Sequence, residues 1–132
     1  MPIYLTYIVV YALVLIGGNF LVAGSMHLMR GRVGLKGDAP FHEWSGVFLG
    51  LTERAVALTL VISAPRYLAA FIGGWVLLKF AISWQRTPLT DRVARGSQLA
   101  LIGNVVSFAV AIAGGLYLNP NAMTYFGALA PA

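Results

Sequence analysis

The 132-residue chain contains no cysteine and few charged residues. The absence of cysteine excludes a disulfide scaffold, a thiolate zinc site and a cysteine nucleophile. Only 10% of the residues are charged, whereas an ordinary soluble domain carries about a quarter, so polar side chains are too few to cover a water-facing globule. Intrinsic disorder is excluded as well, because disordered chains are poor in apolar residues and 59% of this chain is hydrophobic.

What the chain has instead is long apolar runs, and its mean hydropathy is +0.81. A helix that crosses a ~30 Å hydrocarbon core needs about 20 mostly apolar residues. A transmembrane β-barrel is disfavoured, because its strands alternate in polarity over segments of about ten residues. We therefore predict an all-α, polytopic membrane protein, a single domain over residues 1–132 that forms an antiparallel bundle of four transmembrane helices. The predicted spans are residues 3–26, 44–63, 67–84 and 97–118.

The basic residues are concentrated in two of the connecting loops, which predicts the orientation of the chain. The net charge of +5 is therefore interpreted as topology and lipid contact rather than as nucleic-acid binding. The first and third predicted loops carry three cations each, whereas the second has only Arg66. The positive-inside rule then puts both termini outside and the first and third loops in the cytoplasm. The cations of the two loops are Arg30, Arg32 and Lys36, and Arg86, Arg92 and Arg95.

Two smaller interpretations concern the same N-terminal region. We expect the first span to be retained as an anchor, because it lacks the basic n-region of a cleavable signal peptide. Arg30, Arg32 and Lys36 are expected to contact anionic lipid headgroups, although the orientation signal alone accounts for these charges. A metal site formed by His27, His42 and Glu43 is disfavoured, because their spacing matches no tight ligand motif.

A few polar residues lie within the predicted spans, where ionisable groups are costly and usually functional. Glu53 lies 12 residues before Pro65 and Lys79 lies 14 after it, so at ~1.5 Å per residue both are about 20 Å from the outer turn. An ion pair across this hairpin is therefore geometrically available. The first and fourth spans each carry an asparagine at similar depth. The predicted polar cluster that binds a ligand or ion is Glu53, Arg54, Lys79, Asn19 and Asn104.

Helical spacing predicts which way these side chains face. Glu53 shares a stripe with Gly46, Gly50 and Ala57. Small residues allow helices to approach closely, so Glu53 is expected to point into the bundle along a close-packed seam. Arg54 lies about 100° further round the helix and has to reach another helix, an inner headgroup, a partner subunit or a ligand. A second bundle-facing stripe is predicted in the fourth span, at Ser97, Ala100, Asn104, Ser107, Ala111 and Gly114.

The role of the cluster stays open at this point. Buried ions and amides also fix helix pairing without any transport or catalysis. Instead of joining the cluster, Lys79 could extend to the membrane interface or form a cation–π contact with Trp75. A proton relay needs Glu53 to titrate, whereas an ion pair with Lys79 keeps it ionised. No catalytic triad and no cofactor fingerprint is found in the sequence.

The chain resembles a group of short, functionally uncharacterised bacterial four-span membrane proteins. The resemblance covers residues 46–115 and implies a bacterial cytoplasmic membrane and a shared role for the three intramembrane charges, but no activity. Its motifs are Gly46-x-x-x-Gly50-x-x-Glu53-Arg54, Lys79-Phe80 and Leu101-Ile102-Gly103-x-x-x-Ser107-Phe108.

Two function classes follow. The first is binding or transport of an ion, a proton or an amphipathic, lipid-like ligand at the polar cluster, for which a conducting path needs a homo-oligomer because four helices enclose little room. The second is a structural accessory subunit of a larger membrane complex. An enzyme acting on lipid-linked substrates ranks last, because too few polar residues are found near the membrane–water interface to form an active site.

Overall fold

The computed structural model describes residues 2–33, 44–84 and 91–127. Every regular element in these ranges is helical, which confirms the predicted all-α class for this part of the chain. The elements are α1 (Ile3–Ala12), a π-helical turn (Leu13–Gly17), α2 (Gly18–Val33), α3 (Trp44–Ser63), a 3₁₀ turn (Pro65–Tyr67), α4 (Leu68–Trp84), α5 (Asp91–Leu118) and α6 (Ala122–Gly127).

Three helical segments are long and apolar enough to cross a membrane: Ile3–Arg32, Gly46–Ser63 and Leu99–Leu118. They coincide with the first, second and fourth predicted spans, and large apolar side chains project from their middles, as at Phe20 and Val105. This is the outer surface expected of a membrane-associated protein. At the predicted third span, α4 has 17 residues, or about 25 Å at 1.5 Å per residue, somewhat less than a ~30 Å core.

The α3 and α5 helices each end just before a residue that disfavours or caps a helix. The α3 helix stops at Ser63, just before Pro65, and Tyr67 N–H donates to the Ala64 carbonyl at 3.0 Å. The α5 helix stops at Leu118, where the Asn119 side-chain amide donates to the Ile62 carbonyl at 3.0 Å. Because that carbonyl belongs to the last turn of α3, the bond satisfies a helix-end acceptor and holds the ends of α3 and α5 together.

The α5 helix is central, with α2 and α3 both packed against it. Glycines allow the closest approaches: a Cβ added at Gly115 would lie 2.5 Å from Val61 Cβ, and one at Gly114 would overlap Val14. Between these contacts lies an apolar core nearer the α3–α4 turn than to the start of α3. Its members are Val10, Val14, Ala57, Leu58, Val61, Leu68, Phe108, Ala111 and Ala122.

The predicted close-packed seam forms at Glu53 and Ala57, which are 1% and 0% exposed, but the prediction is wrong for Gly46 and Gly50. A Cβ added at Gly46 would meet no atom of the described residues within 4 Å, and one at Gly50 would meet only the guanidinium of Arg54. Small residues permit close approach but do not cause it, and the space beside Gly50 is taken by a side chain of the same helix. The buried part of the stripe begins one turn later, at Glu53 and Ala57.

Candidate functional site

Two neighbouring charged residues of α3, Glu53 and Arg54, are buried in the middle of an otherwise apolar helix. Each is only 1% exposed. Burying a charge is costly unless it is paired and hydrogen-bonded. The partners of these two side chains therefore define the site.

Glu53 is held by two residues of α4. Lys79 Nζ forms an ion pair with Glu53 Oε2, and Trp75 Nε1 donates to the same oxygen at 3.0 Å. Because Trp75 and Lys79 are four residues apart on one helix face, a single face of α4 supplies both donors. The ion pair that the depth count made available across the hairpin is thus formed, while Trp75 is an N–H donor to the carboxylate rather than a cation–π partner of Lys79.

Lys79 also connects this pair to α5. Its Nζ donates to Asn104 Oδ1 at 2.6 Å, so one ammonium joins acceptors from α3 and α5. The Lys79 side chain is 25% exposed, whereas Glu53 is almost fully enclosed. Three of the five predicted cluster residues, one from each of α3, α4 and α5, therefore form one hydrogen-bonded chain.

Arg54 is buried separately, on the side of α3 that faces α2 and α5. Its Nη1 donates to Ser107 Oγ at 3.4 Å, which is a long hydrogen bond. Among the described residues, its Nε and Nη2 have no hydrogen-bond partner, and neither does Glu53 Oε1. A buried guanidinium that uses only one of its five N–H donors is unusual, because buried polar groups are normally hydrogen-bonded.

Gly18, at the start of α2, makes room for the Arg54 side chain. A Cβ at this position would lie 2.8 Å from Arg54 Cδ and 3.1 Å from Arg54 Nε, so no larger residue fits without displacing the arginine. The neighbouring Gly17 has no atom within 4 Å of its Cβ position. The close approach is therefore specific to one of two adjacent glycines.

Asn19 is not part of the connected cluster. It is half-buried, and no hydrogen bond joins its side chain to another described residue. The residues of this helix that face the bundle are instead spaced four apart. Val10 and Val14 are buried, and Gly18 lies against Arg54. Val22 and Met26 pack on Gly103. In a helix of 3.6 residues per turn, residues four apart are displaced by about 40° around the helix axis. The wider π turn at Leu13–Gly17 compensates part of this displacement.

Three contributing residues, Gly18, Trp75 and Ser107, were not among the predicted site residues. Ser107 lay on the predicted small-and-polar stripe of the fourth span, which could have identified it as the partner of Arg54. Trp75 lies one turn from Lys79, which could have suggested a shared target. Gly18 continues the four-residue spacing of the buried Val10 and Val14, and this spacing could have distinguished it from Gly17.

The predicted lipid-contacting loop is described only in part. Arg30 is half-buried and Arg32 is exposed in the last turn of α2, while Lys36 lies outside the described residues. His42 and Glu43 also lie outside them, and His27 is exposed. Within residues 2–33, 44–84 and 91–127, no three metal-ligating side chains come together.

An apolar groove between α1 and α5 lies apart from the ionic cluster. Its volume is about 410 Å³, and its lining residues carry no charge. Such a lining suits acyl chains rather than ionic ligands. The groove is lined by Thr6, Val9, Val10, Leu13, Val14, Val110, Gly114 and Tyr117.

Comparison of the chain with known protein families, curated proteins and solved structures finds no match. The resemblance to short bacterial four-span membrane proteins therefore stays a prediction. The function has to be argued from the geometry of the site itself.

Proposed function

We propose that this chain is a four-span integral membrane protein of a bacterial cytoplasmic membrane, and that its ionic cluster binds a small charged ligand. The observation that carries the proposal is the pair of fully buried, incompletely bonded charges at Glu53 and Arg54. Charged groups within membrane helices are expensive and characteristically mark ligand or ion pathways.

A fourth crossing by α4 is supported by its composition and its neighbours. The helix is apolar apart from Lys79 and continues directly from the 3₁₀ turn Pro65–Tyr67, so the helical run extends over residues 65–84. Arg66 and Tyr67 at one end are residues that favour a membrane interface. With an even number of spans, the distribution of cations puts both termini outside.

A purely structural role accounts for only part of the cluster. An ion pair and a hydrogen bond through Lys79 join Glu53 and Asn104 across three helices, as expected of polar residues that fix helix pairing. Arg54 does not fit this role, because most of its donors are unused and an apolar residue would fill the same space at lower desolvation cost. A ligand that the guanidinium contacts explains why an arginine, rather than an apolar residue, occupies position 54.

The proposal is tested with purified protein reconstituted in proteoliposomes. Sodium, proton, chloride and phosphate fluxes are measured separately, and the effect of each ion on the melting temperature is followed by tryptophan fluorescence, because a ligand that binds the native state stabilises it. We expect at least one of these ions to be transported or to raise the melting temperature. Either Glu53→Gln or Arg54→Gln should weaken that effect at least tenfold, because the ligand contacts one of the two buried charges.

The matched control is Thr52→Val, which changes the neighbouring residue of α3. The Thr52 hydroxyl donates to the Phe48 carbonyl of its own helix and makes no hydrogen bond to a described residue of the cluster. Folded Glu53→Gln and Arg54→Gln proteins that both keep unaltered flux and unaltered ion-dependent melting would count decisively against a binding role.

The second candidate is an accessory subunit of a larger membrane complex, favoured by the outer face of α4. Gly73 and Gly74 are exposed, and a Cβ added at either would meet no atom within 4 Å, so a partner helix has room to pack there. Purification in mild detergent distinguishes the candidates: this one predicts fixed partner proteins, whereas a monomer or homo-oligomer contradicts it.

A further inference from the structure

The unused donors of Arg54 lie on one edge of its guanidinium. Nη1 points to Ser107 Oγ, and the two unpartnered nitrogens are Nε and Nη2. In arginine these two nitrogens direct their N–H bonds the same way, side by side, and form a planar fork. That fork matches the two oxygens of a carboxylate or phosphate group and binds them bidentately.

Two glycines lie against the Arg54 side chain. A Cβ at Gly18 would be 2.8 Å from Cδ and 3.1 Å from Nε, so alanine at this position would displace the side chain that carries the fork. A Cβ at Gly50 would be 3.8 Å from both Nη1 and Nη2, which is an ordinary van der Waals distance. The position of the fork therefore depends on the absence of a side chain at Gly18.

The charges of the cluster favour an anion. Glu53 and Lys79 neutralise each other through their ion pair, which leaves the positive charge of Arg54 unbalanced within the described cluster. The 1% exposure of Arg54 means that water compensates this charge poorly. An anionic ligand supplies both the missing charge and the missing hydrogen-bond acceptors.

We propose that the Nε–Nη2 edge of Arg54 is a binding site for an oxyanion, which it holds bidentately. This rests on the proposed function, because it names the ligand class of the same cluster. The oxyanion comes from one of two sources that share this chemistry: a free carboxylate or phosphate, or the phosphate of a lipid headgroup. Ser107 orients the guanidinium through Nη1.

The experiment measures the melting temperature of the full chain by tryptophan fluorescence in a non-ionic maltoside detergent. One arm titrates sodium phosphate, sodium acetate and sodium chloride at constant ionic strength. A second arm adds phosphatidylglycerol or, as its phosphate-free counterpart, galactosyl diacylglycerol. We expect saturable stabilisation by phosphate or acetate if the ligand is free, or by phosphatidylglycerol alone if it is a headgroup. Chloride should bind at least tenfold more weakly, because a single atom cannot engage both donors equally well.

The variants separate the fork from the charge. Arg54→Lys keeps the charge but removes the fork, and Gly18→Ala displaces the Arg54 side chain at Cδ and Nε. Each should weaken the apparent affinity at least tenfold, whereas Gly17→Ala, which changes the adjacent open position, should leave it within twofold. The comparison of oxyanions with chloride on the unaltered protein needs no variant, so it decides the matter even if Arg54→Lys does not fold.

The two proposals fail differently. Equal stabilisation by chloride and by the oxyanions, or full affinity in both Arg54→Lys and Gly18→Ala, overturns the oxyanion site. A response only to sodium or protons that Glu53→Gln abolishes also overturns it but leaves the proposed function standing. No response to any of these ions or lipids overturns both.

Discussion

Glu53 and Lys79 have unequal environments, and this decides what each contributes. The carboxylate is 1% exposed, while the lysine side chain is 25% exposed. Removing the lysine would leave an enclosed carboxylate without its counter-charge, and removing one partner of a buried pair costs more than replacing both. The intact pair therefore stabilises the fold relative to Glu53 without Lys79, but not relative to two apolar residues that fill the same space.

The first prediction concerns this pair. Lys79→Met should lower the free energy of unfolding by about 3 kcal/mol, because it leaves Glu53 buried and uncompensated. The double variant Glu53→Gln/Lys79→Met should recover most of this loss. Unfolding of all the variants in mixed micelles, followed by tryptophan fluorescence, completes a double-mutant cycle. Additive losses would mean that the two side chains do not interact energetically.

The second prediction uses the adjacent glycines. Gly18→Ala should destabilise the protein by about 1–2 kcal/mol, because the new Cβ forces the Arg54 side chain to move. Gly17→Ala should be neutral or slightly stabilising, since its Cβ meets open space and alanine is the better helix former. Thermal melts of the two variants in the same detergent provide the measurement, and equal effects would contradict the close approach at Gly18.

At the scale of the helices, close contacts are made by glycines of α5 rather than by those of α3. The Gly46-x-x-x-Gly50 motif predicted an interface that does not form, while Gly114 and Gly115 bring α5 against Val14 and Val61. The spacing of small residues tells how near two helices can come. It does not tell which face of a helix will be covered, because that depends on the bulk of the residues opposite.

The third prediction tests this contact. Gly115→Ala should lower stability by about 1–3 kcal/mol through overpacking, because its Cβ would lie 2.5 Å from Val61 Cβ. Combining it with Val61→Ala should return part of the loss by restoring the space. Gly24→Ala is the control, since no atom lies within 4 Å of that Cβ position. Melting temperatures that fall equally for Gly24→Ala and Gly115→Ala would be inconsistent with this packing.

For the whole molecule, a crossing by α4 decides on which side of the membrane the C-terminal end of the described chain lies. Three other helical segments are long and apolar enough to cross the membrane, and α4 is slightly short. With four crossings both termini lie on the same side. With three, the C-terminal end after α5 lies on the opposite side from the N-terminus.

The fourth prediction follows from the absence of cysteine, which makes any introduced thiol unique. Arg66→Cys and Thr124→Cys should react with a membrane-impermeant maleimide added to intact cells, and Arg32→Cys should react only after permeabilisation. All three positions are exposed. Protection of Thr124→Cys in intact cells, with Arg66→Cys still reactive, would instead indicate three crossings.

Much of this molecule follows from composition and spacing. Apolar runs predicted where the long helices lie, because hydrophobic length is a local property of the chain. The predicted spans 44–63 and 97–118 end where α3 and α5 end, because the proline and asparagine that follow these runs act locally on the helix. Counting residues from a turn sufficed to bring Glu53 level with Lys79, since the rise of a helix is constant.

Only the tertiary structure decided how Arg54 is surrounded. Its neighbours Gly18 and Ser107 come from α2 and α5, which are distant from Arg54 in the sequence. Their contact with Arg54 results from the packing of three helices rather than from any local property of α3. The sequence by itself therefore determined that charges are buried at one level, and the tertiary structure determined that one of them keeps an unused fork of donors.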